Sequence, residues 1–313
     1  MKQTTNAVHV EGYVFSHALQ NRVSKKGVPF IMGDLNIATN DDFTNVVPVH
    51  FTYVTETFAK SGKPNPTYDL LMSIIDAGGS NTAEACGQSA LKVRIDGDIE
   101  VNDFVTRDGE MASPKRIRGS FVHAMTGSIA EHPATFDADM VIGQVVEREN
   151  EDSNDYATLH GYVFNFRGDA LPVDLNVRSQ TGIDYFLDQE VSNKNPLFTH
   201  LRGEIVSQSI VHETTEESAF GDPIVHKVTR NLRTWDVTWA STEPYEFGEE
   251  GVLTAKELKQ KVDDREEHLA EVKKHHDDYM AARDGGQNFL APKTTSKSVV
   301  VDDFDDDEFD DLF

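Results

Sequence analysis

Along residues 1–130, aromatic and basic side chains are interleaved at close spacing. Arg22, Lys25 and Lys26 precede a long apolar run, and Phe51, Tyr53 and Phe58 are followed by Lys60 and Lys63. Lys92 and Arg94 alternate along one segment and so share a face if it is a strand. Phe104 and Arg107 lead into an Asp-Gly turn, with Lys115, Arg116, Arg118 and then Phe121 behind it. Rings of this kind stack on planar bases while cations track a phosphate chain. The second part of the chain offers a similar mixture in Tyr162, Phe166, Arg167, Tyr185, Arg230, Arg233, Trp235 and Trp239. Each aromatic on a strand also has the ordinary alternative of packing in the core.

Catalytic patterns are missing. The sequence has no Walker loop, no His-Glu-x-x-His, no paired Cys-x-x-Cys and no Gly-x-Ser-x-Gly elbow. His212-Glu213 lacks a second histidine at ligand spacing, and His275-His276 are adjacent, so on a helix they point to different faces. The carboxylates of Asp96, Asp98 and Glu100 read as a solvated strand face. No catalytic residue, metal or cofactor is expected.

The elements that would position the basic and aromatic groups are strands. Segments 8–15, 28–38, 46–54, 91–104 and 117–124 are rich in β-branched and aromatic residues and bounded by Gly, Asn, Asp or Pro. Residues 24–27 and 106–109 read as hairpin tips, residues 66–75 as a helix, and residues 77–89 as a loop. Short strands with glycines at bends suit an OB-fold barrel. Gly12-Tyr13-Val14-Phe15 recurs as Gly161-Tyr162-Val163-Phe164, Asp34-Leu35-Asn36-Ile37 as Asp174-Leu175-Asn176-Val177, and Arg94-Ile95-Asp96-Gly97-Asp98-Ile99 faintly as Leu201-Arg202-Gly203-Glu204-Ile205. Three matches in one order predict a duplicated barrel. Thr254-Ala255-Lys256-Glu257 is a capping box that opens a helix, and Gly285-Gly286 ends it. Leu258, Val262, Leu269, Val272 and Tyr279 give that helix a four-three apolar spacing, interrupted by Arg265 and His276. The fold class is therefore mainly β. An OB-fold-type barrel over 1–130 is duplicated over 131–245. One α-helix over 251–285 and a disordered linker and acidic tail over 286–313 follow.

Charge divides the chain. Net charge is −25, which taken alone argues against a polyanion as ligand. Residues 1–130 carry only −2, however, against −15 in 131–250, zero in 251–301 and −8 in 302–313. The first segment can hold a basic groove on one face; the second is poorly suited to do so alone. The tail reads Asp302, Asp303, Phe304, Asp305, Asp306, Asp307, Glu308, Phe309, Asp310, Asp311, Leu312, Phe313. Phenylalanines in a polyanion serve no solubilising purpose. They anchor in a small basic-rimmed pocket of a partner, while the acids attract it from a distance. Apolar runs fall short of the roughly 18 residues a membrane helix needs, so no membrane is expected. A single cysteine, Cys86, and an N-terminus without an apolar leader fit a reducing, cytoplasmic setting.

With these residues in view, the sequence resembles the single-stranded DNA-binding proteins of bacteria and their phages. The resemblance lies in residues 24–30 and 35–40, in 92–104 with Asp108-Gly109, and in the acidic tail ending in Phe313. It implies coating of single-stranded DNA in replication, recombination and repair, without catalysis, and recruitment of replication or recombination proteins by the tail. The family's homotetramer is not carried over to this chain, because of its departures from the family pattern; a homo-oligomer stays open, and a phage-type variant is the better match. The chain departs from the family at Leu312, where a proline is usual, in its helix where a Gly/Gln-rich linker is usual, and in its second β-domain. The alternatives are a viral structural or scaffold protein of two β-domains with an assembly tail, and an acidic DNA mimic. The near-neutral first segment argues against the mimic.

Overall fold

Apolar residues at every second position fold residues 6–125 into a closed barrel. The computed structural model describes residues 4–148, 155–216 and 224–284. The first strands are β1 (Asn6–His17), β2 (Gln20–Val23), β3 (Pro29–Ala38) and β4 (Val46–Thr55). Helix α1 (Pro66–Asp76) and the short α2 (Ala83–Cys86) follow. Strands β5 (Lys92–Val101), β6 (Phe104–Val105), β7 (Met111–Ala112) and β8 (Lys115–Met125) complete the unit. β1 pairs antiparallel with β3 and β5, β3 with β4, and β5 with β8. A short parallel contact, Val49 with Ile117 and His50 with Arg118, joins β4 to β8 and closes the ring. This five-strand order with one parallel seam and a helix between the third and fourth strands is an OB-fold.

The interior follows from the pleat. Val47, Val49 and Phe51 of β4 and Val93, Ile95 and Ile99 of β5 are all buried, and the intervening residues face outward. α1 plugs the barrel with Tyr68, Leu71 and Ile74. Its start is fixed by Pro66 in the first turn and by Asn65, whose side chain accepts the Thr67 N–H at 3.1 Å. The expected strands and helix fall on these elements. The expected loop at 77–89 instead holds α2 and a turn of 3₁₀ helix.

A second barrel repeats the plan with β9 (Ala134–Arg148), β10 (Tyr156–Phe164), β11 (Ala170–Val177), α3 (Gln180–Asp188), β12 (Leu197–Glu216) and β13 (Ile224–Ala240). The pairs β9–β10, β10–β11, β12–β13 and β9–β12 are antiparallel, and β11–β13 is the parallel seam. The duplication is therefore present, but two of the three sequence matches are one strand out of step. Gly12–Phe15 lie on the first strand of their barrel and Gly161–Phe164 on the second strand of theirs. Asp34 and Asp174 are likewise on second and third strands. Four residues place only two side chains on each face, too few to distinguish one bent strand from the next. The weak third match is the true one. Gly97 and Gly203 both stand at a bulge on the fourth strand, where a Cβ would lie 2.1 Å from Arg118 O and 2.2 Å from Asp236 O.

The barrels are joined edge to edge. β1 pairs with β9 from Asn6–Ala138 to Val10–Ala134, giving one 11-stranded sheet. β12 leaves β9 after Glu204, but its ladder with β13 runs on to Glu216–Ile224. This ribbon passes the first barrel at an Asn45–Gln208 bridge, where Asn45 Oδ1 accepts the Ser207 N–H at 2.7 Å. Helix α4 (Ala255–Asp284) starts at the expected capping box, Glu257 N–H to Thr254 Oγ1 at 3.1 Å and Thr254 N–H to Glu257 Oε2 at 2.8 Å. Its first half docks at the junction of the barrels through Arg265, which makes a two-pronged ion pair with Asp103. The tail, residues 302–313, lies outside the described residues.

Candidate nucleic-acid interface

In an OB-fold the outer surface of the second and third strands, bracketed by the loops between strands one and two and strands four and five, is the usual ligand face. Here that surface is β3–β4, and both loops are hairpins. The first hairpin, β2–β3, turns at Ser24–Gly27. Ser24 N–H donates to Val28 O at 2.9 Å and Gly27 N–H to Ser24 O at 3.0 Å. Gly27 takes φ 82°, a conformation that suits glycine at the last position of the tip. Lys25 and Lys26 are thereby exposed at the tip. Arg22, half-buried, donates to Gln20 Oε1 at 2.7 Å.

Register fixes what lies around that tip. Phe30 pairs with Arg22 on one side and Thr55 on the other. The turn after β4 therefore leaves the sheet at the same end as the lysine tip. That turn is held by Phe58 N–H to Lys63 O at 2.9 Å and Gly62 N–H to Phe58 O at 2.7 Å, with Lys60 and Lys63 exposed. The β6–β7 hairpin emerges at the other end of β4, because the start of β8 adjoins Val49. Its tip carries exposed Arg107, and Phe104 at its base is 41% exposed. Between the ends, Tyr53 stacks on Phe30 at 4.5 Å and opens on a cavity of about 230 Å³. His50 Nδ1 lies 2.7 Å from Asp34 Oδ1, and that contact, with Arg116 nearby, holds the Asp34 carboxyl below its ordinary range.

Six expected residues are placed differently. Phe51 is fully buried, its ring packed so closely over Gly119 that a Cβ there would lie 2.5 Å away, so it cannot stack on a base. Lys115 donates to the Asp174 carbonyl oxygen and lies 5.6 Å from the Trp235 ring, which makes it a bond between the barrels. Burial there pushes its ammonium pKa down. Arg116 pairs with Glu100 and Arg118 with Asp98, each at 2.6 Å across the β5–β8 ladder, so their charge is already balanced. Lys92 and Arg94 sit on β5 between β1 and β8, across the barrel from β3–β4. Lys92 lies 5.1 Å from the Tyr13 ring and donates to Gly127 O at 3.2 Å. The structure brings together Arg22, Lys25, Lys26, Phe58, Lys60 and Lys63 at one end of the face and Phe104 and Arg107 at the other, with Tyr53 between them. Asp98 and Glu100, which read in the sequence as a solvated strand face, are the carboxylates that balance Arg118 and Arg116 across the β5–β8 register.

The corresponding surface of the second barrel is partly covered. β11 faces β5 and α4, Lys115 reaches Asp174, and Asn6 Nδ2 donates to Phe164 O at 3.2 Å. Trp235, expected on a ligand surface, is buried against Phe136 at 5.6 Å. Among the described residues no group of His, Cys, Asp and Glu is arranged to hold a metal ion, and no helix is long and apolar enough to cross a membrane.

Comparison with known proteins gives a family. No curated protein matches the chain. Two solved structures of the single-stranded DNA-binding protein from Thermus aquaticus, the wild type and a deletion mutant, are similar at 13% identity and a TM-score of 0.46. The wild type aligns over 79% of this chain and 98% of its own, the mutant over 80% and 100%. The model of the YorF family matches residues 4–275, nearly the whole described chain, and the protein belongs to the YorF family.

Proposed function

We propose that this chain binds single-stranded DNA, without chemically altering it, across the outer face of β3–β4. The observation that carries this reading is the bracketing of that face. Exposed Lys25, Lys26, Lys60 and Lys63 stand at one end, and Phe104 and Arg107 at the other, with Tyr53 between. A lysine cluster at one end of an aromatic-bearing sheet suits a strand whose phosphates enter over the lysines while bases lie on the rings, with Phe104 and Arg107 at the far end beside the exposed Asp108 and Glu110. The first barrel is the binding domain and the second a scaffold, because the second carries more net negative charge and its equivalent face is partly covered by the first barrel and α4. The acidic segment 302–313 acts as a docking handle for replication or recombination proteins, with Phe313 as anchor, and competes with DNA for the basic face.

Titration of labelled oligonucleotides at several salt concentrations tests the reading. Salt-sensitive binding that prefers a single strand to duplex is expected. Equal or absent binding of both would leave the scaffold reading in its place. Removal of 302–313 is expected to tighten single-strand binding most at low salt, where screening is weakest, and to abolish retention of partner proteins. Phe313→Ala should lose only the partners.

A further inference from the structure

Phe166 stands in the tight turn between β10 and β11, where Gly168 N–H donates to Asn165 O at 2.9 Å and Asp169 N–H to Asn165 Oδ1 at 2.9 Å. Its ring is 44% exposed, with the Arg167 guanidinium 5.7 Å from the ring centre. The ring is a shared wall of two adjoining cavities. The smaller, about 230 Å³, opens between β4 and β8 and is lined also by Tyr53, Phe121 and Arg118. The larger, about 410 Å³, lies between the hairpin, β5 and α4. Phe121 is 43% exposed on the same slot.

Resting on the single-strand reading above, we propose that the smaller cavity is a slot for one nucleobase, held among Tyr53, Phe121 and Phe166. A bound strand then crosses from the first barrel to the second at this seam. Three elements from two barrels each deliver an aromatic ring to one space. Two of those rings are exposed, so core packing does not explain them. The slot is smaller than the roughly 300 Å³ at which drug-sized sites begin, which suits a single ring system rather than a whole nucleotide. Among the described residues that line it, the one cation, Arg118, is balanced by Asp98 at 2.6 Å, so the slot takes the base and not the phosphate. The larger cavity mixes Lys261 and Arg265 with Glu100 and Asp103 and is no better placed to hold an anion. The slot adjoins the proposed interface through β4, which carries Tyr53 in both. The second barrel thus contributes a hairpin tip to binding, although its own ligand face is partly covered.

The test uses the full-length protein and thymidine oligonucleotides. Phe121→Ala and Phe166→Ala are each expected to weaken binding about 5- to 100-fold, the loss of one stacked base. The double variant should lose little more than either single change, since both rings hold the same base. Urea midpoints equal to the parent's show that the fold is kept. In parallel, the parent protein is cross-linked to a bromodeoxyuridine oligonucleotide, and adducts are expected at Tyr53, Phe121 or Phe166. Parent-like affinity of both single variants, or adducts confined to other segments, overturns the slot while leaving the single-strand reading intact. A parent protein that binds no single strand overturns both.

Discussion

At the scale of residues, neighbours on one strand are assigned opposite roles. Phe51 points into the barrel and Tyr53 opens outward, because a bulge between Ile31 and Gly33 shifts the β3–β4 register beside them. Phe51→Ala is expected to cost about 3–5 kcal/mol of stability in urea denaturation, as for other large core deletions. Tyr53→Ala should cost less stability and about 1–3 kcal/mol of single-strand affinity. A Phe51→Ala protein of parental stability would contradict the placement. Tyr245 offers a test by pH. Its hydroxyl donates to Asp139 Oδ1 at 3.0 Å. Burial first, then the neighbouring carboxylate, pushes its phenol pKa up to about 12. An unfolded tyrosine titrates near 10, so the folded state holds this proton more tightly. That contribution is complete below about pH 10 and is lost as pH rises toward 12. Tyr245→Phe should therefore show a shallower fall in stability between pH 10 and 12 than the parent; an equal fall would refute the assignment.

At the scale of elements, the hairpin tips were legible in the sequence because their chemistry is local. Ser24-Lys25-Lys26-Gly27 and the Asp108-Gly109 turn need only a left-handed glycine and flanking strands. The α1 start at Asn65-Pro66 and the capping box at Thr254 were readable for the same reason. Contacts between distant elements were not. Lys115 reads as a groove cation until β11 is laid beside β8, and Phe166 as part of a separate surface until its hairpin meets β4 and β8. Arg265 reads as an interruption of the α4 stripe, yet it is where the helix docks. Its side chain and that of Asp103 are 10% and 8% exposed. Arg265→Ala leaves the buried Asp103 carboxylate with only the more distant His268, at 3.5 Å, and loss of one partner of a buried pair costs up to about 3–5 kcal/mol. Amides in the first half of α4 should then lose hydrogen-exchange protection while the barrels keep theirs. Unchanged protection in the helix would mean that the ion pair does not hold it.

At the scale of the molecule, composition misleads unless it is resolved along the chain. A net charge of −25 coexists with four exposed lysines at one end of β3–β4, because the acids concentrate after residue 130 and, in the first barrel, Glu100 and Asp98 are taken up by Arg116 and Arg118. Phosphate binding therefore depends on four lysines at one end of β3–β4. The most direct test is the dependence of single-strand affinity on salt, measured for the parent and for a variant with Lys25, Lys26, Lys60 and Lys63 all changed to Gln. Each phosphate contact to a single strand contributes a slope of about −0.7 in log K against log salt. A slope shallower by about 3 is expected in the variant, with its urea midpoint unchanged. An identical slope in the two proteins would contradict it and place the phosphate path elsewhere.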